Sequence, residues 1–286
     1  MKKYLVIGAS GTVGSKIVQS LVRDGLAVRA TTHRKEAVGT KGGVERVYLD
    51  LATGEGIAQA FEGVDRAFVL APPGHADHYK LLSPLVAEAR RRKLDKVVLM
   101  TAMGANAADT PFRRVEQELE QSGLRYNIIR PNWFMQNFNT FWLAGIRDNG
   151  KIQLPVGTAK TSFIDARDIA DVATRLLVAD GVDNRDFDLT GPTALDHDAV
   201  ARILSEATGR KVTYEEIEPD VLRKGLLAGG VPADYTEFLL VILGFLKQGY
   251  AERTTTAVRE LIGRDPIAFE RYARDNRAAW TEAKAA

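Results

Sequence analysis

The chain predicts a doubly wound parallel α/β sheet with a smaller C-terminal α/β lobe, and three observations predict it. A short apolar run, Tyr4-Leu5-Val6-Ile7, ends on the glycine turn Gly8-Ala9-Ser10-Gly11-Thr12-Val13-Gly14. Strand-like and helix-like patterns then alternate over roughly the first 130 residues, as parallel sheets require. Finally, a chain of 286 residues that is 45% hydrophobic can bury one large core and support a companion lobe.

The first run is apolar on both faces, as a central parallel strand covered by helices must be. The glycines behind it have separate duties. Gly8 permits the tight turn, Gly11 lets the backbone approach a pyrophosphate, and Gly14 lets the next helix pack close to the sheet. That helix is carried by Val13, Ile17, Val18, Leu21 and Val22 at helical spacing, with its N-terminal amides aimed at phosphates. It ends at Gly25. A Gly-rich turn can be only a turn, but strand, helix and terminator agree around this one and favour a bound dinucleotide in a Rossmann-type domain. The GxxGxxG spacing differs from the GxGxxG of two-domain dehydrogenases. It resembles the turn of extended and atypical short-chain dehydrogenases/reductases.

Further strands follow at Ala27-Val28-Arg29-Ala30-Thr31, at Arg46-Val47-Tyr48-Leu49 closing on Asp50, and at Arg66-Ala67-Phe68-Val69-Leu70. Two more run from Lys96 to Thr101 and from Arg125 to Ile129. Helices are predicted over Gly54 to Phe61, His78 to Lys93, and Phe112 to Gln121. Right-handed crossovers bring ligands to the carboxyl ends of the strands. Those ends carry Gly8-Ala9-Ser10, Thr32-His33-Arg34-Lys35, Asp50-Leu51, Ala71-Pro72-Pro73, Thr101-Ala102-Met103 and Arg130-Pro131-Asn132. Beyond them come Trp133, Phe134, Phe138, Phe141 and Trp142, then a strand-like Thr161-Ser162-Phe163-Ile164 leading to Asp165, Asp168 and a helix through Leu177. A last strand, Phe187-Asp188-Leu189, and two or three helices complete the smaller lobe. The expected division is 1–154 and 155–286, with 161–178 returning to the first domain and its core strands ending near 131.

Composition excludes several classes. A net charge of +2 and no basic stripe interleaved with aromatics argue against nucleic acid. The cluster Arg90-Arg91-Arg92-Lys93 suits the negative end of a helix dipole better than an interaction patch. The absence of cysteine removes disulfides and thiolate chemistry. Met1-Lys2-Lys3 leads directly into a strand, so no signal peptide and a cytoplasmic location are expected. The apolar segment Phe238 to Leu246 is about half a membrane span and is expected as a buried or lid-forming helix. A frayed tail is expected at Ala283-Lys284-Ala285-Ala286. A monomer or homodimer acting on a small molecule fits all of this. His75-Ala76-Asp77-His78 offers metal-ligand types, but Asp at a helix N-cap explains it equally well, and no metal is expected. Gly8-Ala9-Ser10-Gly11-Thr12 lacks the final glycine of a nucleophile elbow.

NAD enzymes place an acid at the end of the second strand for the ribose 2′-OH, whereas NADP enzymes supply cations for a 2′-phosphate. Here Thr31-Thr32-His33-Arg34-Lys35 has no acid at that end. Arg34 and Lys35 can give a phosphate charge-assisted hydrogen bonds, against the alternative of a merely solvated basic loop. NADPH is the expected cofactor, with Asp50 facing adenine.

The turn and the later segments Arg125-Tyr126-Asn127-Ile128-Ile129-Arg130-Pro131 and Ser162-Phe163-Ile164-Asp165-Ala166-Arg167-Asp168-Ile169-Ala170 resemble the NmrA-like group of atypical short-chain dehydrogenases/reductases. The resemblance covers nearly the whole chain. Gly230-Val231-Pro232-Ala233-Asp234-Tyr235-Thr236-Glu237 and Arg259-Glu260-Leu261-Ile262-Gly263 look like its flavin-free reductases of quinones, triphenylmethane dyes and azo compounds. Typical short-chain reductases protonate a carbonyl with a Tyr-x-x-x-Lys pair. This chain has none: Phe112 stands where the lysine is expected, with Arg113 and Arg114 behind it, and Tyr126 lies on a strand. A positioned acid is worth about 10²–10⁴ in rate, so the expected acceptors take hydride readily and draw a proton from water, as azo compounds, quinones and cationic dyes do. Catalysis then rests on orientation. Met103, Phe112, Trp133, Phe134 and Phe138 are the candidate apolar walls, and Gln136 and Asn137 the polar guides, with ordinary core packing as the alternative for each aromatic. A rival reading is a non-catalytic sensor of NADP(H) acting through a protein partner. Epimerisation and isoflavone-type reduction are disfavoured because they need the missing acid or base.

Overall fold

A computed structural model describes residues 2–281. The tail at 283–286 lies outside the described residues, as does Met1. The chain divides into two units. The first runs through Pro73, resumes over Asp77–Pro131 and takes Arg167–Asp188; the second takes Gly74–Ala76, Asn132–Ala166 and the chain from Leu189 on. The division thus falls after Pro131 and not after Leu154, and the returning segment is 167–188, not 161–178.

In the first unit, β1 (Lys3–Val6) leads through the glycine turn to α1 (Gly14–Arg23) and β2 (Ala27–Thr32). The end of α1 is chemically specified. Gly25 takes φ +71°, its amide bonds Val22 O and that of Leu26 bonds Leu21 O, each at 3.0 Å, so the last carbonyls are satisfied by a Schellman turn. A hairpin follows, β3 (Gly39–Lys41) and β4 (Val44–Tyr48), then α2 (Ile57–Ala60), β5 (Arg66–Leu70), α3 (His78–Arg91), β6 (Lys96–Met100), α4 (Pro111–Glu120) and β7 (Arg125–Pro131). Asp77 and Thr110 cap α3 and α4 by accepting the amides of Lys80 and Arg113, each at 3.1 Å. The tetrad His75 to His78 therefore contains the N-cap. At the far end of α3, Arg91 and Arg92 pair with Glu88, and Arg92 also donates to Ala58 O, which accounts for two members of the basic cluster.

The eight-stranded sheet has the order β3-β4-β2-β1-β5-β6-β7-β9, where β9 is Arg185–Leu189. β1 pairs in parallel with both β2 and β5, so the winding reverses at its carboxyl end, where this architecture forms its crevice. Leu5, Ile7, Phe61, Val69, Leu99 and Ile128 belong to the buried core of this unit.

Three elements around the large sheet differ from the sequence reading. β3 is an additional, antiparallel strand. The helix expected over 54–61 shrinks to four residues, because Gly54 and Gly56 take positive φ and a Cβ on Gly56 would lie 2.3 Å from Tyr48 O. β9 joins the large sheet instead of the lobe. Charge explains much of the return of the chain here. α6 (Ala166–Val178) ends where buried Arg66 donates to Leu177 O and Val178 O at 3.0 and 2.8 Å, and Lys96 donates to Ala179 O at 3.2 Å. Cations thus cap the negative end of that helix.

The second unit contains α5 (Leu143–Asn149) and β8 (Lys151–Leu154), then α7 (His197–Thr208) and β10 (Thr213–Glu216), with β8 and β10 forming a two-stranded parallel sheet. It continues through α8 (Pro219–Ala228), α9 (Ala233–Lys247), α10 (Ala257–Ile262), α11 (Phe269–Asp275) and α12 (Ala278–Thr281). Its core is rich in aromatics, among them Phe138, Phe163, Tyr272 and Trp280. The strand expected over 161–164 is present only as isolated bridges, Phe134 to Ile164 and Thr161 to Leu195. α9 is half exposed, not buried: Leu243 and Leu246 face the core while Val241 and Phe245 are open to solvent. No helix among the described residues is long and apolar enough to cross a membrane.

Candidate functional site

The glycine turn is built around the Gly8 carbonyl. Gly8 has φ +68°, and a Cβ on it would meet Leu70 Cδ1 at 3.0 Å. The Gly11 amide donates to Gly8 O at 2.9 Å. A Cβ on Gly14 would lie 2.2 Å from the same oxygen, so α1 starts against the turn at a distance only glycine allows. Ser10, Gly11 and Thr12 are exposed, Ala9 is half buried and Val13 is buried. The turn is also tied to β2, since Thr31 Oγ1 accepts the Gly8 amide at 3.2 Å. Sequence reasoning had not assigned Thr31 to the site, and only its place beside Thr32 marks it. An exposed, cradle-like turn at the head of a helix fits a pyrophosphate.

Around this turn, Thr32 is buried and its hydroxyl accepts the Arg34 amide at 3.1 Å, which fixes the start of the loop. His33, Arg34 and Lys35 are exposed. Lys35 does not stand free: its Nζ lies 2.8 Å from Glu55 Oε1 and 4.6 Å from the centre of the Tyr48 ring. The hydrogen bond from Lys35 to Glu55 raises the lysine pKa above its ordinary value. Glu55 and Tyr48 were not assigned to the site from the sequence. Asp50 Oδ1 accepts the amides of Ala52 and Thr53 at 2.8 and 3.3 Å, so its carboxylate organises its own loop. Leu51 and Ala71 pack partly on the core of the sheet unit, and Pro72 is half buried.

At the ends of β6 and β7 the predicted contacts are bound into the protein. Thr101 is buried and its hydroxyl donates to Glu116 Oε1 at 2.7 Å. Glu116 is held by Arg130 through two hydrogen bonds of 2.8 Å, and Arg130 also pairs with Asp186. Pro131 is buried and its carbonyl accepts the Met103 amide at 3.0 Å, leaving Ala102 and Met103 half buried. Phe112 packs against this unit's core and stacks on His78 with ring centres 4.0 Å apart. The cations beside it are occupied, Arg113 by Glu116 and Glu120, and Arg114 by Asp109. Burial pushes the Tyr126 hydroxyl up from its ordinary pKa, which makes it a weaker proton donor.

In the second unit, Trp133 and Phe134 are half buried, and Trp133 stacks on Trp142 at 6.3 Å. Phe138 is a correction: it is wholly buried and meets Phe163 and Phe269 edge-on at 5.2 Å, so it is core and not a wall. Gln136 is committed at both ends of its amide. Nε2 donates to Asp165 Oδ1 at 3.1 Å and Oε1 accepts the Ala166 amide at 3.0 Å, so it positions the segment entering α6. Asn137 is half buried and its carbonyl accepts the Trp142 amide at 3.0 Å. Among the described residues no cluster of three His, Asp or Glu side chains could hold a metal ion.

The model of the NmrA-like family matches residues 1–272 of this chain. The chain belongs to the NmrA-like family. An uncharacterised oxidoreductase of Bacillus subtilis, YesF, is 32% identical over 97% of this chain and 96% of its own. An NAD(P)H azoreductase of Xenophilus azovorans is 30% identical over 96% and 98%. Among solved structures, a Citrobacter triphenylmethane reductase complexed with NADP(H) superposes with a TM-score of 0.83 at 21% identity, covering 96% of this chain and 99% of that one. The structural likeness bears out the Rossmann-like architecture, and both relatives carry oxidoreductase or reductase names.

Proposed function

We propose that this NmrA-like protein is an NADPH-dependent, flavin-free reductase of electron-poor aromatic acceptors, with azo compounds and quinones as leading classes and triphenylmethane dyes next. The observation that carries the reading is a glycine turn shaped for a pyrophosphate in a chain whose sequence has no Tyr-x-x-x-Lys pair. Arg113 and Arg114, beside the place of the usual lysine, are both held by carboxylates. The azoreductase and triphenylmethane reductase named above support the same acceptor chemistry.

When bound, NADPH supplies a hydride. In this reading the Gly8 to Gly14 turn holds the pyrophosphate on the α1 amides, and Arg34 and Lys35 meet the 2′-phosphate. The Thr101–Glu116–Arg130 chain fixes the ends of β6 and β7, so that Ala102 and Met103 present a rigid edge to the nicotinamide half. The proton that accompanies hydride comes from water. Orientation supplies most of the rate.

The test is anaerobic oxidation of NADPH without added flavin, against azo dyes, quinones, triphenylmethane dyes and simple aldehydes. Turnover is expected on the first three and not on aldehydes. Tight NADPH binding with no turnover on any acceptor would sink the enzyme reading in favour of a sensor.

A further inference from the structure

The sheet order brings a carboxylate to the place where the sequence showed none. β4 lies beside β2 with Thr32 in register with Tyr48, so the loops leaving both strands emerge side by side. Glu55, 20 positions beyond Lys35 in the chain, reaches it across that gap. The carboxylate is carried on a pinned loop. Asp50 N–H donates to Glu55 O at 3.0 Å and Gly54 N–H to Asp50 O at 2.9 Å. Thr53 Oγ1 accepts the Glu55 amide at 3.3 Å. Gly56 follows at φ +91° with no room for a Cβ beside Tyr48 O. Lys35 is held from two sides, by Glu55 at 2.8 Å and by the Tyr48 ring at 4.6 Å.

We propose that Glu55 tunes the preference between NADPH and NADH by competing with the 2′-phosphate for Lys35. The inference rests on the proposed cofactor reading and deepens it. A 2′-phosphate at the end of β2 carries about two negative charges and needs the cation that Glu55 already holds. Its arrival breaks the Lys35–Glu55 pair and sets the carboxylate against the phosphate. The neutral 2′-hydroxyl of NADH leaves the pair intact. Glu55 therefore weakens NADPH binding selectively and narrows the discrimination that Arg34 and Lys35 create. An exposed pair is worth little in isolation, so the effect is a tuning of selectivity and not its origin.

The experiment is direct measurement of NADPH and NADH dissociation constants at low salt for the wild type and for Glu55→Gln, Lys35→Met, Arg34→Ala and the double variant Glu55→Gln/Lys35→Met. Glu55→Gln keeps the shape of the side chain. It is expected to tighten NADPH about fivefold and to leave NADH within about twofold, a gain of the size of one exposed charge pair that shrinks as salt is added. In the Lys35→Met background the gain should disappear. If Glu55→Gln leaves NADPH unchanged, or shifts both cofactors equally, while Lys35→Met weakens NADPH, the role of Glu55 is overturned and the cofactor reading stands. A gain that persists without Lys35 overturns the competition for that lysine. If neither Lys35→Met nor Arg34→Ala affects NADPH, the cofactor reading itself fails and the inference falls with it.

Discussion

Arg66 and His197 are both wholly buried, one in the sheet unit and one in the second unit, yet their surroundings are opposite. Arg66 reaches Asp95 at 2.9 Å, two carbonyls at the end of α6, and Asp180. His197 sits among the rings of Phe163, Tyr214, Phe138 and Trp142, between 5.4 and 6.2 Å away, and neither ring nitrogen has a hydrogen-bond partner among the described residues. Burial therefore keeps His197 neutral, lowering its pKa from 6.5 to about 4. Burial acts on Asp95 in the other direction, but hydrogen bonds from Lys2, Arg125 and Arg66 outweigh it and hold that carboxyl well below its usual range. The sheet unit buries charge by pairing it; the second unit buries a titratable ring by suppressing its charge. The two should fail under different stresses.

The largest effect is expected from Arg66→Ala, which takes the buried donor away from the Leu177 and Val178 carbonyls and removes one of the three cations on Asp95. Each carbonyl left without its donor costs about 1–3 kcal/mol, and the buried arginine stem is lost as well, to be read as a lower urea midpoint. A loss below 1 kcal/mol would erase the contrast between the units. Next comes acid. His197 has a folded pKa below its unfolded value, so its stabilising contribution is complete above pH 6.5 and declines as pH falls toward about 4. At about 1.4 kcal/mol per unit, roughly 3 kcal/mol is lost over that window. Asp95 contributes stability that is complete above its unfolded value of 3.8 and is lost only at lower pH. The second unit should weaken first. The chain's three tryptophans make this measurable, because Trp133, Trp142 and Trp280 all belong to that unit. Tryptophan fluorescence should report acid destabilisation from pH 6.5 downward, and His197→Phe should flatten the response.

A smaller effect, confined to the sheet unit, is expected of Gly14→Ala. Its methyl would meet backbone, not a yielding side chain, and so displace the start of α1. A shift of about 1 Å at such a site costs on the order of 10²-fold, here in NADPH affinity by titration, with the fluorescence profile of the second unit unchanged. The smallest is Arg34→Ala, which should weaken NADPH about tenfold through one lost charge-assisted contact and leave NADH alone. Equal losses for both cofactors would remove Arg34 from the 2′-phosphate.

Local pattern made much of the first unit readable. The glycine turn, its strand and its helix terminator are each encoded within a few residues, and a cap such as Asp77 announces the helix it starts. What was not readable depends on distance along the chain. The strand expected over Phe187-Asp188-Leu189 was placed in the lobe, and nothing in the half-polar run Arg185-Asp186-Phe187-Asp188-Leu189 says which sheet it joins. Nothing local says that Arg66 and Lys96 will cap a helix ending at Val178. Glu55 escaped notice for the same reason, since its approach to Lys35 follows from β4 lying beside β2. Phe138 and Gln136 show a further limit. Residue types suited to grip a ligand are equally suited to packing and internal hydrogen bonding, and at these two positions the fold uses them internally.

The outermost strand, β3, spans only Gly39–Lys41 and all of it is exposed. It runs antiparallel beneath a turn in which Gly42 and Gly43 both take positive φ. A three-residue border ending in lysine offers little to a neighbouring backbone. The sheet is thereby blunted on that side, which protects the protein at high concentration from edge-to-edge stacking into ribbons and confines any self-association there to side-chain surfaces.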